Sequence, residues 1–537
     1  MTGTLKTLVI GLDGATWDIL DPMMQAGLMS NLKGLVEGGT RSKLHSTWPA
    51  ITGPAWACML TGKNAGKTTV GDWGSLTADY RLEFAHAGSV KAAPFWHYLG
   101  MAGQRTGVVA VPNTYPPRKL EGFMLTGMGS PGREYDHTWP PALRQMLQEK
   151  HPDYQLDIPT IVYTPETARE FLDALTGHAG ELTDITSSLV AQETPDHLFA
   201  VFTATDRVQH CMMDDLRALT GKEGQPELGE ALQAFYQALD EQIGRLLALA
   251  SPEANVIVLS DHGFTRARRV LHLNDWLERE GFLSTFGARH VGNRIARGLV
   301  MLTDAVRRWR GAGVRTYSTQ RMLGKPINWK GTGAFCNSFN GIFLNRAGRF
   351  EKGIVSPAEA TALREDLRGR LLDLRDPGSG QKLVEAVLDR EEVYSGPYVD
   401  LLPDLLIVFH DDEHISTRYF NLEGTPPDHL FSLPTERTNG QHHRHGVFVG
   451  SGPVFRKRFE GETIHLQDIA PLLLYLNRVP IPEDMDGAVP LEFLTAEAQA
   501  MGAEVQAASE DASGRDHLSE EEEAIIHQRL VDLGYLE

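Results

Sequence analysis

Three short apolar runs in this chain each stop at an acid: "TLVIGLD" at Asp13, "LFAVFTATD" at Asp206, and "NVIVLSDHG" at Asp261 with His262. A buried strand of a parallel sheet reads as a continuous apolar stretch, and its end delivers side chains to the open edge of the sheet. The runs "PDLLIVF" and "HGVFVGSGPVF" predict two further strands. Between the runs, stretches such as "ALQAFYQALDEQIGRLLALA" repeat apolar residues at three and four, the helical period. Strands alternating with helices predict an α/β fold, a doubly wound and mostly parallel sheet with helices on both faces.

A chain of 537 residues has room for such a core and for insertions. Residues 266 to 330 hold 14 Lys and Arg against four Asp and Glu, in a protein whose formal net charge is −19. Within them Val291, Ile295, Leu299, Leu302, Val306 and Trp309 recur at helical spacing, opposite Arg294, Arg297, Arg308 and Arg310. We read a basic helical cap inserted at 266–335, between core parts at 1–265 and 336–490. Its helix is either a lid docked by its apolar stripe or a surface that steers an anionic substrate or meets an anionic membrane. The low-complexity "TAEAQAMGAEVQAASEDASGRDH" predicts a flexible linker over 491–518. The ending "SEEEEAIIHQRLVDLGYLE" predicts a helix over 519–537 docked on the core, capped by Ser519 with Glu522 reaching back and leaving through Gly534.

The acidic balance argues against a surface given over to nucleic acid, and no sequence-specific nucleic-acid binding is expected. Cys58, Cys211 and Cys336 are scattered and form no CxxC pair, which points to a reduced compartment. The start lacks an apolar signal core, and no apolar stretch approaches the roughly 20 residues of a transmembrane helix. A soluble cytoplasmic protein is the expectation.

Two divalent ions held side by side need acids and imidazoles converging from separate strand ends, with positions left open for substrate. Asp13 follows the first strand. Asp206 and His210, in "TDRVQH", stand four apart, so one helical turn places them on one face. Asp261 and His262 are adjacent after another strand, and "GQHHRHG" offers a last histidine. Singly, each has a plainer reading: a helix cap, a surface pair, a solvated histidine. As a set they are hard to explain that way.

Residues 52 to 70, "TGPAWACMLTGKNAGKTTV", contain two rival phosphate devices. Pro54 favours a first helical turn, which puts Thr52 or Gly53 at the N-cap, where free N–H groups attract an anion. A threonine hydroxyl becomes a nucleophile when a divalent ion favours its alkoxide. The tail "GKNAGKTT" has Thr61 where a phosphate-binding loop needs a glycine, and it follows helix-like sequence rather than a strand. It reads as a glycine-rich turn ending the Thr52 helix.

The ordered set of Asp13, Thr52, Asp206 with His210, Asp261 with His262, and a late histidine resembles the alkaline phosphatase superfamily. It is most similar to the type I phosphodiesterase and nucleotide pyrophosphatase branch, including bacterial predicted phosphohydrolases and phosphomutases. "GLDGATWDIL", "PAITGPAWACMLTG", "TDRVQH" and "VLSDHGF" carry the resemblance, which extends over nearly the whole chain. It implies that Asp13, Thr52, Asp261 and His262 surround one divalent ion, and Asp206, His210 and a late histidine the other. The family's glycine two residues ahead selects His442, with His443 and His445 as fallbacks. Zinc, or sometimes manganese, is the implied metal, and the donor types suit either. The implied chemistry is hydrolysis of a small-molecule, lipid or nucleotide phosphate ester through a phosphothreonine on Thr52. Gly53, Trp56 and Arg207 complete the candidate set on the substrate side. Ala55, followed by Trp56, stands where nucleotide pyrophosphatases keep a phosphate-holding asparagine, which weakens a nucleotide assignment. A phosphomutase, phosphotransferase or phosphomonoesterase of the same superfamily is the nearest alternative. A non-catalytic protein binding anionic lipid or nucleic acid is the alternative from another class.

Overall fold

The computed structural model describes residues 4–157, 163–221, 228–286, 325–421, 430–434, 438–509 and 518–532. The chain divides into two compact units, one of Met1–Val70, Ala85–Arg266 and Thr435–Asp516, the other of Gly71–Phe84, Ala267–Pro434 and His517–Glu537.

A ten-stranded sheet organises the first unit. Its spatial order is Phe459–Glu460, Thr40–His45, His445–Ser451, Ala250–Leu259, Leu5–Leu12, His197–Phe202, Thr106–Val111, Gly122–Thr126 and Thr138–Trp139, with Ile464–His465 also pairing with Thr40–His45. The centre is parallel: Leu5–Leu12 lies between His197–Phe202 and Ala250–Leu259 and runs in their direction. The run "HGVFVGS" is indeed a strand, but it is antiparallel to both neighbours. Successive side chains of a strand point to opposite faces. Accordingly Leu8, Ile10 and Leu12 join a core containing residues of helices Trp17–Gln25, Ala168–Glu193, Ala204–Leu219 and Gly229–Leu247. Val9 joins a second core with helices Thr52–Thr61, Phe95–Met101 and Ile469–Leu476. Helices therefore cover both faces, as expected for a doubly wound sheet. Gly11 has to be small: a Cβ there would lie 2.7 Å from the Trp56 ring.

The second unit has its own core, in which Tyr80 stacks on Trp329 with centroids 3.8 Å apart. Its four-stranded sheet runs Ala334–Ser338, Gly341–Leu344, Leu405–Phe409, Val384–Asp389. The run "PDLLIVF" thus lies in this antiparallel sheet and not in the parallel one. Residues 336–434, placed with the core by sequence, belong to the second unit, because a buried run looks the same in either sheet. The basic helix with Arg294, Arg297, Arg308 and Arg310 lies outside the described residues.

Residues 491–509 of the expected linker carry helix Ala496–Gln499 and strand Val505–Gln506, which pairs with Ile481–Pro482. Fully buried Phe493 and Leu494 anchor the segment, two residues that a composition reading overlooks. The last helix, Glu520–Asp532, has the expected reciprocal cap, Ser519 N–H donating to Glu522 Oε2 at 2.7 Å and Glu522 N–H to Ser519 Oγ at 3.3 Å. It buries Ile526 and Leu530 and belongs to the second unit; Gly534 lies outside the described residues. Cys58, Cys211 and Cys336 form no disulfide. Among the described residues no helix is long and apolar enough to cross a membrane.

Candidate active site

Asp13 directly follows the central strand, and its N–H donates to Phe202 O at 3.0 Å. Asp206 and His210 occupy the first turns of Ala204–Leu219, after the neighbouring strand on one side, with His210 Nε2 3.5 Å from Asp206 Oδ1. Asp261 and His262 follow the neighbouring strand on the other side. Three adjacent parallel strands thus bring all five residues to one sheet edge, the usual ligand-binding edge of an open α/β sheet.

His442 arrives from a different direction. It lies in Gly440–His443, which pairs antiparallel with Gly263–Arg266 so that His442 opposes Phe264. Gly440 makes this approach possible, since a Cβ there would lie 2.0 Å from Gln209 O on the Asp206 helix. The His442 ring stacks on His262 with centroids 3.7 Å apart, and its Nε2 reaches Asp206 Oδ1 at 3.4 Å and His210 Nε2 at 3.1 Å. His442 Nδ1–H donates to Ala50 O at 2.9 Å, which leaves Nε2 as the nitrogen with a lone pair.

Thr52 is the first residue of helix Thr52–Thr61, and the N-cap is Ile51, not Thr52 or Gly53 as the position of Pro54 had implied. Its hydroxyl does not cap the helix. It lies 3.2 Å from His262 Nε2 in a fully buried position. His262 Nδ1–H donates to Gly263 O at 3.1 Å, so Nε2 is free to accept the threonine proton. Gly62, at φ 68°, caps the other end of this helix, but "GKNAGK" is not all turn: Asn64 caps a further short helix, Ala65–Thr68; Lys63 and Lys67 pair with Asp484 and Asp486 at 2.5 Å each.

Each acid near Thr52 has one oxygen held by a donor and one left over. Trp56 Nε1–H donates to Asp13 Oδ2 at 3.3 Å, and Gly14 N–H donates to Asp261 Oδ1 at 3.2 Å. Asp13 Oδ1 and Asp261 Oδ2 are buried without a hydrogen-bond partner and stand 3.7 Å and 3.2 Å from His262 Nε2. Buried oxygens left this way are costly unless something charged meets them. Burial, reinforced by the Asp261 and Asp206 charges, pushes the Asp13 carboxyl well above the usual range, and burial pushes Asp261 up to about 7. Burial also raises Asp206, but the facing His210 and His442 and the Arg207 charge outweigh it and hold this carboxyl far below its ordinary value. Burial pushes His210 down to about 4 and His262 well below its ordinary value.

These observations fit divalent cations. Asp206, His210 and His442 form one group, and Asp13, Asp206 and His262 another, whose ligand atoms lie within 4.8 Å of each other. Orphaned acid oxygens and converging lone-pair nitrogens are what a cation would satisfy.

Of the substrate-side candidates, Gly53 lies in the first helical turn with its carbonyl accepting from Asn113 Nδ2 at 3.1 Å. Trp56 is fully buried and serves Asp13, because position i+4 puts it on the Thr52 face of the helix. Arg207 is 4% exposed, with Nη2 3.3 Å from Met128 Sδ. Neither Trp56 nor Arg207 is an open contact surface. His443 and His445 are in neither metal-competent group. Sequence reasoning missed Gln209, whose Nε2–H donates to Gly14 O at 2.8 Å and to Thr205 O at 3.1 Å, and Asn113, 60 residues from its partner. Gln209 had a local signal, lying between Asp206 and His210 on their helix; Asn113 had none.

The family profile described as "Type I phosphodiesterase / nucleotide pyrophosphatase" matches residues 7–447. No curated protein sequence matches the chain. A phosphonoacetate hydrolase from Sinorhizobium meliloti 1021, solved in complex with phosphonoacetate, shares the fold at 16% identity and TM-score 0.51, over 89% of this chain and 96% of that one. An inactive murine ectonucleotide pyrophosphatase / phosphodiesterase 5 in complex with AMP is similar at 15% identity and TM-score 0.48, over 91% of this chain and all of the other.

Proposed function

The chain belongs to the type I phosphodiesterase / nucleotide pyrophosphatase family, within the alkaline phosphatase superfamily, and from that premise we propose that it is a two-metal hydrolase of phosphoric esters, of the phosphodiesterase or nucleotide pyrophosphatase type, with Thr52 as nucleophile. The observation that carries this reading is the placement of the Thr52 hydroxyl 3.2 Å from His262 Nε2, beside acids whose buried oxygens lack partners. Asp13, Thr52, Asp261 and His262 would hold one divalent ion and Asp206, His210 and His442 the other. Such ions, zinc or manganese by donor type, supply charge neutralisation and favour the alkoxide of a bound hydroxyl.

Thr52 Oγ1, once deprotonated, attacks phosphorus; a P–O bond to Thr52 forms as the bond to the leaving alcohol or phosphate breaks. Water then attacks the phosphothreonine, which restores the Thr52 hydroxyl and releases the phosphorylated product. Pro54 has no N–H and the Ala55 N–H donates to Ile51 O, so the N–H groups of Thr52 and Gly53 are the first-turn donors that suit the phosphoryl oxygens. Asn113 holds the Gly53 carbonyl and so orients that turn.

The test is turnover of 4-nitrophenyl mono- and diesters by metal-loaded protein, with acid quench and mass spectrometry of the Thr52 peptide. Thr52→Ala is expected to lose on the order of 10³-fold or more in kcat and to give no phosphopeptide. An active alanine variant overturns the nucleophile assignment.

A further inference from the structure

The loop that carries Asp13 is a tight turn over Leu12, Asp13, Gly14 and Ala15. Ala15 N–H donates to Leu12 O at 3.0 Å, and Gly14, the third residue of the four, has φ 70°. A glycine at positive φ in that place is the mark of a type II turn. A Cβ there would also lie 2.8 Å from the Phe264 ring and 3.3 Å from Asp206 Cα. The middle peptide of such a turn, here between Asp13 and Gly14, makes no bond within the turn. Glycine tolerates φ of either sign, so this peptide can stand either way up unless partners outside the turn hold it.

Both of its polar atoms have such a partner. Asp13 O accepts the Thr205 hydroxyl at 2.5 Å, and Gly14 N–H donates to Asp261 Oδ1 at 3.2 Å. Thr205 is buried in the first turn of helix Ala204–Leu219, and its single hydroxyl proton goes to Asp13 O rather than to a helix cap. The carbonyls that follow are held in the same manner: Gly14 O accepts Gln209 Nε2–H at 2.8 Å, and Ala15 O accepts the Ser260 hydroxyl at 3.0 Å. Reversing the Asp13–Gly14 peptide would take the acceptor from the Thr205 hydroxyl. It would also set a carbonyl, in place of an N–H, beside the Asp261 carboxylate.

The Gly14 bond decides which oxygen of Asp261 is left over. Oδ1 is occupied by the N–H, and Oδ2 stands 3.2 Å from His262 Nε2 without a hydrogen-bond partner. A hydroxyl beyond one strand thus reaches, through one peptide, an acid beyond another.

We propose that Thr205 is a positioning residue: its hydroxyl fixes the orientation of the Asp13–Gly14 peptide, and that peptide holds Asp261 with Oδ2 turned toward His262. Thr205 is the neighbour of Asp206 in sequence, yet it acts on the half of the site that contains Asp13 and Asp261. The consequence for metal binding rests on the hydrolase reading above; the orientation of the peptide does not.

The experiment labels the full chain with 13C at the backbone carbonyl of aspartate and 15N in glycine, so that carbonyl–amide NMR correlations arise from Asp–Gly peptides alone. The chain has two, 13–14 and 486–487. The second, whose N–H donates to Gly62 O, is the internal control. In metal-free Thr205→Val the 13–14 signal is expected to move to higher field in both the Asp13 carbonyl and the Gly14 proton, whereas Thr205→Ser keeps it near the wild-type position. Zinc dialysis reads the consequence: the valine variant should bind one of two equivalents about tenfold more weakly and the other unchanged, with serine restoring the first. Thr205→Ala takes the place of Thr205→Val should that variant not fold. Four results overturn the proposal: an unmoved signal without the hydroxyl, a carbonyl that moves while the Gly14 proton stays, a serine variant displaced as far as the valine one, or metal affinities that both hold or both fall alike. If wild type binds no metal and turns over none of the 4-nitrophenyl esters, the hydrolase reading fails, and the metal-free spectra by themselves uphold or overturn the positioning role.

Discussion

Asp206 and Asp261 are both fully buried acids beyond the strands that flank Leu5–Leu12, yet the fold pushes Asp261 up to about 7 and holds Asp206 far below its ordinary range. Burial acts on both in the same direction. The difference lies in the neighbours: Asp206 faces two imidazoles and the Arg207 charge, whereas Asp261 shares its pocket with Asp13 and lies within the field of Asp206. One half of the candidate site thus sets nitrogen bases and one guanidinium around a single acid. The other is an acid pair that a cation would relieve. Metal affinity and metal-free stability should therefore respond with different signs in the two halves.

Neutral isosteres break the comparison most sharply. Asp206→Asn and Asp261→Asn should each lower bound metal from two equivalents towards one by elemental analysis, with kcat/KM falling on the order of 10²-fold or more. Without metal the two variants should diverge at pH 8. Asp261→Asn removes an acid that the fold disfavours and should raise Tm, whereas Asp206→Asn removes a favoured one and should lower it, each by about 2 to 5 °C in calorimetry. Shifts of the same sign would show that the halves do not differ as described.

Trp56→Phe tests the acid-rich half more gently. It keeps an aromatic ring at this position but removes the N–H bound to Asp13 Oδ2. One equivalent of metal should bind about tenfold more weakly in equilibrium dialysis, with the second unchanged.

The smallest expected effect is on pH dependence. Asp261 in the fold keeps its proton up to about pH 7, while unfolded it titrates near its ordinary value of 3.8. Between these limits the folded state binds more protons, so metal-free stability falls as pH rises from about 4 to 7 and this loss is complete above 7. Denaturant midpoints of metal-free protein across this range, with Asp261→Asn as control, should show a slope in wild type that the variant lacks.

The acids and His262 were legible because buried strands announce themselves by apolar runs, and the next polar residue inherits the sheet edge. Asp206 with His210 was legible from helical spacing. The second unit was not: "PDLLIVF" obeys the same pattern as the core strands, and only pairing places it in another sheet. The cap of the Thr52 helix is Ile51 rather than Thr52 or Gly53, since Pro54 marks a first turn without specifying where the turn opens. Trp56 and Arg207 were assigned to substrate from their neighbours in sequence, and their burial could not be read there.

The sequence by itself determined the parallel α/β character, the strand ends that carry acids, and the helix exit at Gly62, because each depends on periodicity or backbone preference within a few residues. Tertiary structure alone placed one of the late histidines, His442, beside Asp206 and His210. Three candidates lie within four positions, and His442 is distinguished by the approach of Gly440 to Gln209 and by its Nδ1–H bond to Ala50. Tertiary structure also decided the sign of each carboxyl's shift, since burial raises Asp13 and Asp261 while His210, His442 and Arg207 outweigh it at Asp206.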